Sequence, residues 1–159
     1  MPQTTCHGGP GWFNVIAIDA MNHHLTEISV RYGETDKMGV AHHSSYLLWF
    51  ELGRTGLLRD VGFAYRDLER DGYMLPVMEY NCRFFRGAEY DDRVVVETRV
   101  SELKSRLVTF DYRVLRGEQT LVEGWTRHLC VTPDNRPRRI PSAVIDALEP
   151  FFTPGSGAS

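Results

Sequence analysis

The chain has 159 residues, of which 25% are charged and 42% hydrophobic, a size that supports one domain with a single core. A net charge of −3 and a pI near 6.1 lack the basic excess of a nucleic-acid surface, and no apolar run reaches the ~18 residues of a membrane span. Neither nucleic acid nor membrane insertion is therefore expected.

Residues 1–24 read as an N-terminal extension, flexible or an arm. Gly8-Gly9-Pro10-Gly11 breaks regular structure, and only residues 12–18 have the apolar content of a short strand. The segment lacks the basic region and long hydrophobic block of a secretory signal. Cys6, Cys82 and Cys130 are odd in number, far apart and without a CxxC spacing. Free thiols in a reducing, cytoplasmic setting are the expectation.

Residues 25–152 read as the one domain and residues 153–159 as a flexible tail. From Leu25 to Tyr32, Thr26, Ile28, Val30 and Tyr32 alternate with Leu25, Glu27, Ser29 and Arg31, the period of a half-buried strand. A glycine-punctuated loop follows over 33–41. Over about 44–61, Leu47, Phe50, Leu57, Leu58 and Val61 recur at three- and four-residue spacing. Leu48 and Trp49 widen that arc, predicting a helix covered on more than one side. Ser44 or Ser45 is the expected N-cap and Gly62 the expected stop. A short helix at 65–70 precedes four strands at hairpin spacing, 73–85, 93–103, 106–116 and 119–131. A basic loop at 136–140 leads to a terminal helix over 141–152. This order predicts an α+β fold, a mixed sheet with a four-strand antiparallel meander wrapped round one apolar helix.

Chemistry concentrates at the start of that helix. Asp36 is the acid of the glycine loop, a position more often filled by a solvated turn residue. Its neighbours favour more: Gly39 lets the backbone turn tightly or approach a ligand, and His43, Ser44 and Ser45 lie where helix amides are unpaired and the dipole is positive. An apolar helix behind them predicts a partly dry pocket, which strengthens stabilisation of an oxyanion. His42-His43 and His23-His24 invite a metal reading, but adjacent side chains diverge and no third ligand follows at a known spacing, so no metal is expected. Tyr46 is expected to face the core with its hydroxyl on a partner. Glu51 is read as a partner for Arg54 or as a catalytic acid. Arg136, Arg138 and Arg139 form a basic cluster, either a solvated loop or a grip on phosphates. Arg83 and Arg86 are weaker candidates for that grip. No GxSxG, P-loop or GxGxxG is present.

The run Val30-Arg31-Tyr32-Gly33-Glu34-Thr35-Asp36-Lys37-Met38-Gly39-Val40, continued by His43, Tyr46, Trp49-Phe50-Glu51 and Arg54, resembles the hotdog-fold acyl-CoA thioesterases of the 4-hydroxybenzoyl-CoA thioesterase-like family. It is similar above all to the members encoded beside Tol-Pal envelope genes, which also place a histidine where His43 stands. A looser likeness covers Leu75-Pro76-Val77, Tyr80, Arg83-Phe84-Phe85 and Arg139-Ile140-Pro141. The resemblance implies an antiparallel sheet wrapped round a long central helix, paired edge to edge as a homodimer or homotetramer. It implies an acyl-CoA substrate and no cofactor beyond the coenzyme A of that substrate. Asp36 would act as nucleophile or general base, and the helix amide of His43 would polarise the thioester carbonyl. Gly39, Val40, Tyr46, Glu51, Arg138 and Arg139 complete the expected substrate-binding set. A hotdog dehydratase or hydratase and a non-catalytic acyl-CoA-binding module are the rival expectations.

Overall fold

The computed structural model describes residues 13–19 and 21–155. Cys6, the glycine–proline run at 8–11 and residues 156–159 lie outside the described residues. Among the described residues six strands form one sheet: β1 (Phe13–Ile18), β2 (His24–Ser29), β3 (Val77–Phe84), β4 (Arg93–Leu103), β5 (Leu107–Arg116) and β6 (Gln119–Leu129). Their spatial order is β1-β2-β4-β5-β6-β3, and every strand pair is antiparallel. The mixed sheet expected from the pattern is thus corrected to a fully antiparallel one. Among the described residues three α-helices accompany it, α1 (His43–Asp60), α2 (Tyr65–Arg70) and α3 (Ser142–Leu148). Among the described residues no helix is long and apolar enough to cross a membrane.

Alternation along the strands builds the core. On β4, Val94, Val96, Thr98 and Val100 are buried, and on β5 Val108, Phe110, Tyr112 and Val114 are buried with them. The helix α1 lies on this face against β2, β4 and β5. Trp49, Phe50 and Leu57 are fully buried there, each contributing about 1.5–3 kcal/mol by leaving water. The Phe50 ring stacks on Tyr112 with centroids 4.3 Å apart. Close approach depends on Gly53, where a Cβ would meet Thr98 Oγ1 at 2.5 Å.

Several local expectations are revised. The meander is β4-β5-β6 alone, and β3 crosses to the far side to pair with β6. Reciprocal hydrogen bonds between Met74 and Val131 (2.9 Å each) bring the chain alongside β6 before the strand begins. That strand begins at Val77, not residue 73, because Pro76 has no amide to extend the ladder. The first domain strand stops at Ser29, and Tyr32–Glu34 makes a 3₁₀ turn. Residues 13–18, part of the stretch read as an extension, pair with β2 through register Phe13↔Ile28. The N-cap of α1 is His42, not Ser44 or Ser45: its Nδ1 accepts from the Ser44 amide at 3.3 Å. Pro141 stands at the N-cap of α3, which passes into a 3₁₀ turn over Glu149–Phe151.

Candidate active site

The loop between the 3₁₀ turn and α1 is closed by a bridge between Thr35 and Ala41. Within it the Asp36 amide donates to Val40 O (2.9 Å), and the Gly39 amide donates back to Asp36 O (2.9 Å). Gly39 sits at φ +79°, in the left-handed region where a side chain is strained. The Met38 amide donates to Asp36 Oδ1 at 2.8 Å. Among the described residues the other carboxylate oxygen of Asp36 has no hydrogen-bond partner. The loop is tied to the segment after β3 by Ala41 N donating to Ala88 O (2.7 Å) and a bridge from Val40 to Glu89.

His43 is the first residue of the 18-residue α1. Among the described residues its amide has no acceptor, as the geometry of a helix start dictates, and the positive end of the helix dipole lies there. Asp36 and His43 line the same cavity of about 330 Å³, with Val40, Tyr46, Phe84 and Arg86. Tyr46 is buried. Its hydroxyl accepts from the Ala88 amide at 3.0 Å, and its ring meets Trp49 and Phe84 edge to face. Burial pushes its phenol above the usual tyrosine range. The arrangement brings a carboxyl group and the first residue of a long helix to one cavity, a pairing that can serve attack on a carbonyl carbon with a helix-start amide as oxyanion donor.

Not every expected residue comes here. Gly39 and Val40 belong to the loop itself. Glu51 lies further along α1, 57% exposed, with Arg54 Nη2 at 3.8 Å, and does not line the cavity. Arg138 is engaged elsewhere: its guanidinium lies 3.6 Å from the centroid of Tyr73 and donates to Gly72 O at 2.9 Å. Arg139 is exposed in the same loop. Arg86, weighed only as a lesser phosphate contact, is the cation that does line the cavity.

Beside the site stands an acid to which the sequence pattern alone assigns no role. Glu34 is buried, and its carboxylate accepts from Arg31 Nη2 (2.7 Å), the Arg31 amide (2.8 Å) and Trp49 Nε1 (3.0 Å). Burial alone would raise its pKa, but the hydrogen bonds from Arg31 and Trp49 outweigh it and hold the carboxyl below the ordinary range. The available signal was an arginine three residues before the acid and a tryptophan in the following helix.

A larger depression of about 620 Å³ lies on the sheet face turned away from α1, lined by Glu97, Arg99, Asp111, Arg113 and Trp125. Two of its arginines are matched to acids, Arg99 with Asp111 (2.8 Å) and Arg113 with Glu97 (2.7 Å). Nearby, Asp19, His23 and Glu97 converge, with His23 Nδ1 2.9 Å from Asp19 Oδ2 and 4.0 Å from Glu97 Oε2.

An antiparallel sheet with a long helix on one face narrows the class. Residues 38–123 match the thioesterase superfamily model, more than half of the chain, and the chain belongs to that superfamily, whose hotdog fold it shares. Among relatives, the Haemophilus influenzae protein named acyl-CoA thioesterase YbgC is 33% identical over 105 residues, 65% of this chain and 77% of its own. A solved hypothetical protein of Thermus thermophilus is 42% identical with TM-score 0.76, covering 80% of this chain and 98% of that one. The DHNA-CoA thioesterase of Staphylococcus aureus is 32% identical with TM-score 0.73, over 80% and 87% of the two chains.

Proposed function

We propose that the protein is an acyl-CoA thioesterase, releasing a free acid and coenzyme A. The observation that carries this reading is that Asp36 and His43, the first residue of α1, line one cavity, in a chain whose relatives bear that activity in their names. In the route through water, Asp36 takes a proton as the water oxygen bonds to the carbonyl carbon. The His43 amide receives the oxyanion, an interaction worth about 3 kcal/mol. Collapse breaks the C–S bond, and the departing thiolate takes the proton back from Asp36. In the alternative route the carboxylate itself attacks, and the C–S bond breaks to expel the coenzyme A thiolate and leave a mixed anhydride. Water cleaves that anhydride to free acid and the Asp36 carboxylate, its released proton going to the thiolate. Neither route draws on a metal or a further cofactor.

We read α1 as the central helix about which the sheet curves, with its N-terminus delivering the oxyanion donor. Val40 and Phe84 offer apolar contact to the acyl group. For the phosphates of coenzyme A we favour Arg86, which lines the cavity, over Arg138 and Arg139, which do not. The partner is a second copy: β3 forms an edge of the sheet and exposes Val77, Met78 and Tyr80, and pairing two such edges would hide them.

A thiol-release assay over a panel of acyl- and aryl-CoA esters tests the reading. Equal amounts of free thiol and free acid are expected. Turnover of an enoyl- or hydroxyacyl-CoA without thiol would instead indicate a hydratase, and binding without turnover an acyl-CoA-binding module; either result overturns it.

A further inference from the structure

We propose that Glu34 is a positioning residue for this reaction, holding the Asp36 loop in a fixed place against the N-terminus of α1. The inference rests on the thioesterase reading of the cavity. Glu34 does not line that cavity, so it cannot act on substrate directly. It is instead the point at which the loop and the helix are tied.

Its two halves bind different ends of the same helix start. The carboxylate reaches Trp49 Nε1 (3.0 Å), a fully buried residue in the second turn of α1. The backbone carbonyl accepts from the His42 amide (2.7 Å) and from Ser45 Oγ (3.0 Å), the cap and first turn. Arg31, two residues past β2 at the cap of the 3₁₀ turn, supplies two further donors to the carboxylate. The 3₁₀ turn, the loop and the helix therefore meet at one residue.

Only Thr35 separates Glu34 from Asp36, and it is itself held. Its hydroxyl donates to Tyr32 O at 2.7 Å, and its backbone bridges to Ala41. So short and constrained a link passes any shift of Glu34 on to Asp36, whereas the His43 amide is fixed by the helix. The distance between attacking group and oxyanion donor thus depends on Glu34. An acid at this buried place is costly unless fully bonded. An apolar replacement would leave the Trp49 indole and the Arg31 amide without acceptors.

The test is kcat and KM for thiol release by Glu34→Gln, Trp49→Phe and the double variant, with thermal midpoints measured alongside. Glu34→Gln keeps the volume but turns one acceptor into a donor against Arg31. We expect kcat to fall about 10- to 100-fold, the scale of a small misplacement, with KM within about threefold, since binding itself is untouched. Trp49→Phe keeps a buried ring and removes only the indole donor. It should lower kcat by about tenfold, and add little in the Glu34→Gln background because both break one tether. Wild-type kcat in folded variants, a loss carried by KM, a drop in thermal midpoint without one in kcat, or additive losses would each overturn the proposal. If Glu34→Gln does not fold, Trp49→Phe decides by the same measure of kcat. Asp36→Asn separates this proposal from the reading beneath it. Turnover surviving in Asp36→Asn sinks the thioesterase mechanism, whereas turnover lost there but intact in the Glu34 and Trp49 variants sinks only the tether.

Discussion

At His43 the group that matters in the proposed reaction is a backbone amide, and two substitutions distinguish it from the ring. His43→Ala leaves the amide and should change kcat by no more than about threefold, since only a side chain at the cavity wall is lost. His43→Pro removes the N–H at the one helical position where proline is well tolerated. His42, at φ −59° and ψ 142°, already has the extended backbone that a following proline requires. A folded His43→Pro protein with kcat down by about 10²- to 10³-fold is the expected result. At Gly39, alanine would have to adopt φ +79°, and Gly39→Ala should cost about 1 kcal/mol in a denaturant titration while loosening the acid beside it. Asp36, Gly39 and His43 were legible together because they are neighbours in the chain, so local turn and helix-start chemistry suffices to group them. Phe84, the last residue of β3, and Arg86 just after it reach the same cavity, and periodicity does not say which strand end a loop will meet. Glu34 escaped for a related reason: a carboxylate's burial is a property of the surrounding fold, invisible in its own residue type. Arg138 misled in the opposite direction, since nothing in the basic run announces that one of its members lies on Tyr73.

Between elements, the contact of α1 with β4 is the tightest constraint on the core. Thr98 Oγ1 is buried and, among the described residues, has no hydrogen-bond partner. It lies where a Cβ on Gly53 would fall, so Gly53→Ala should destabilise the fold by about 1–3 kcal/mol through overpacking. Thr98→Val removes the orphaned hydroxyl and should be neutral or stabilising by comparison, both read as shifts of the denaturation midpoint. The strands and the long helix were readable because their periods of two and near 3.6 survive in the sequence. Their order was not. Hairpin spacing suggests that consecutive strands are neighbours, yet β3 and β4 are separated by β5 and β6. The crossing depends on Pro76 and the Met74–Val131 pair, a contact between segments more than fifty residues apart.

Across the whole molecule, a buried polar chain ties β5 and β6 to the segment before β3. Tyr112 hydroxyl and Thr126 Oγ1 are 2.7 Å apart, Thr126 Oγ1 and His128 Nε2 2.8 Å, and His128 Nδ1 donates to Leu75 O at 2.9 Å. Burial first, and the nearby Arg54 charge second, lower the His128 pKa to about 4. The folded state thus holds this imidazole neutral while the unfolded chain protonates it near 6.5. Stability from this group is complete above the unfolded value and is lost as pH falls from about 6.5 towards about 4, by up to about 3 kcal/mol. Urea midpoints across that window should decline with acidity, and His128→Leu, though less stable at neutral pH, should show a flatter slope. The most direct measurement of the proposed chemistry is kcat for thiol release by Asp36→Asn on whichever acyl-CoA the wild type turns over fastest. A fall of about 10²- to 10⁴-fold with the fold intact is predicted for loss of the acid. Turnover at the wild-type rate would contradict it.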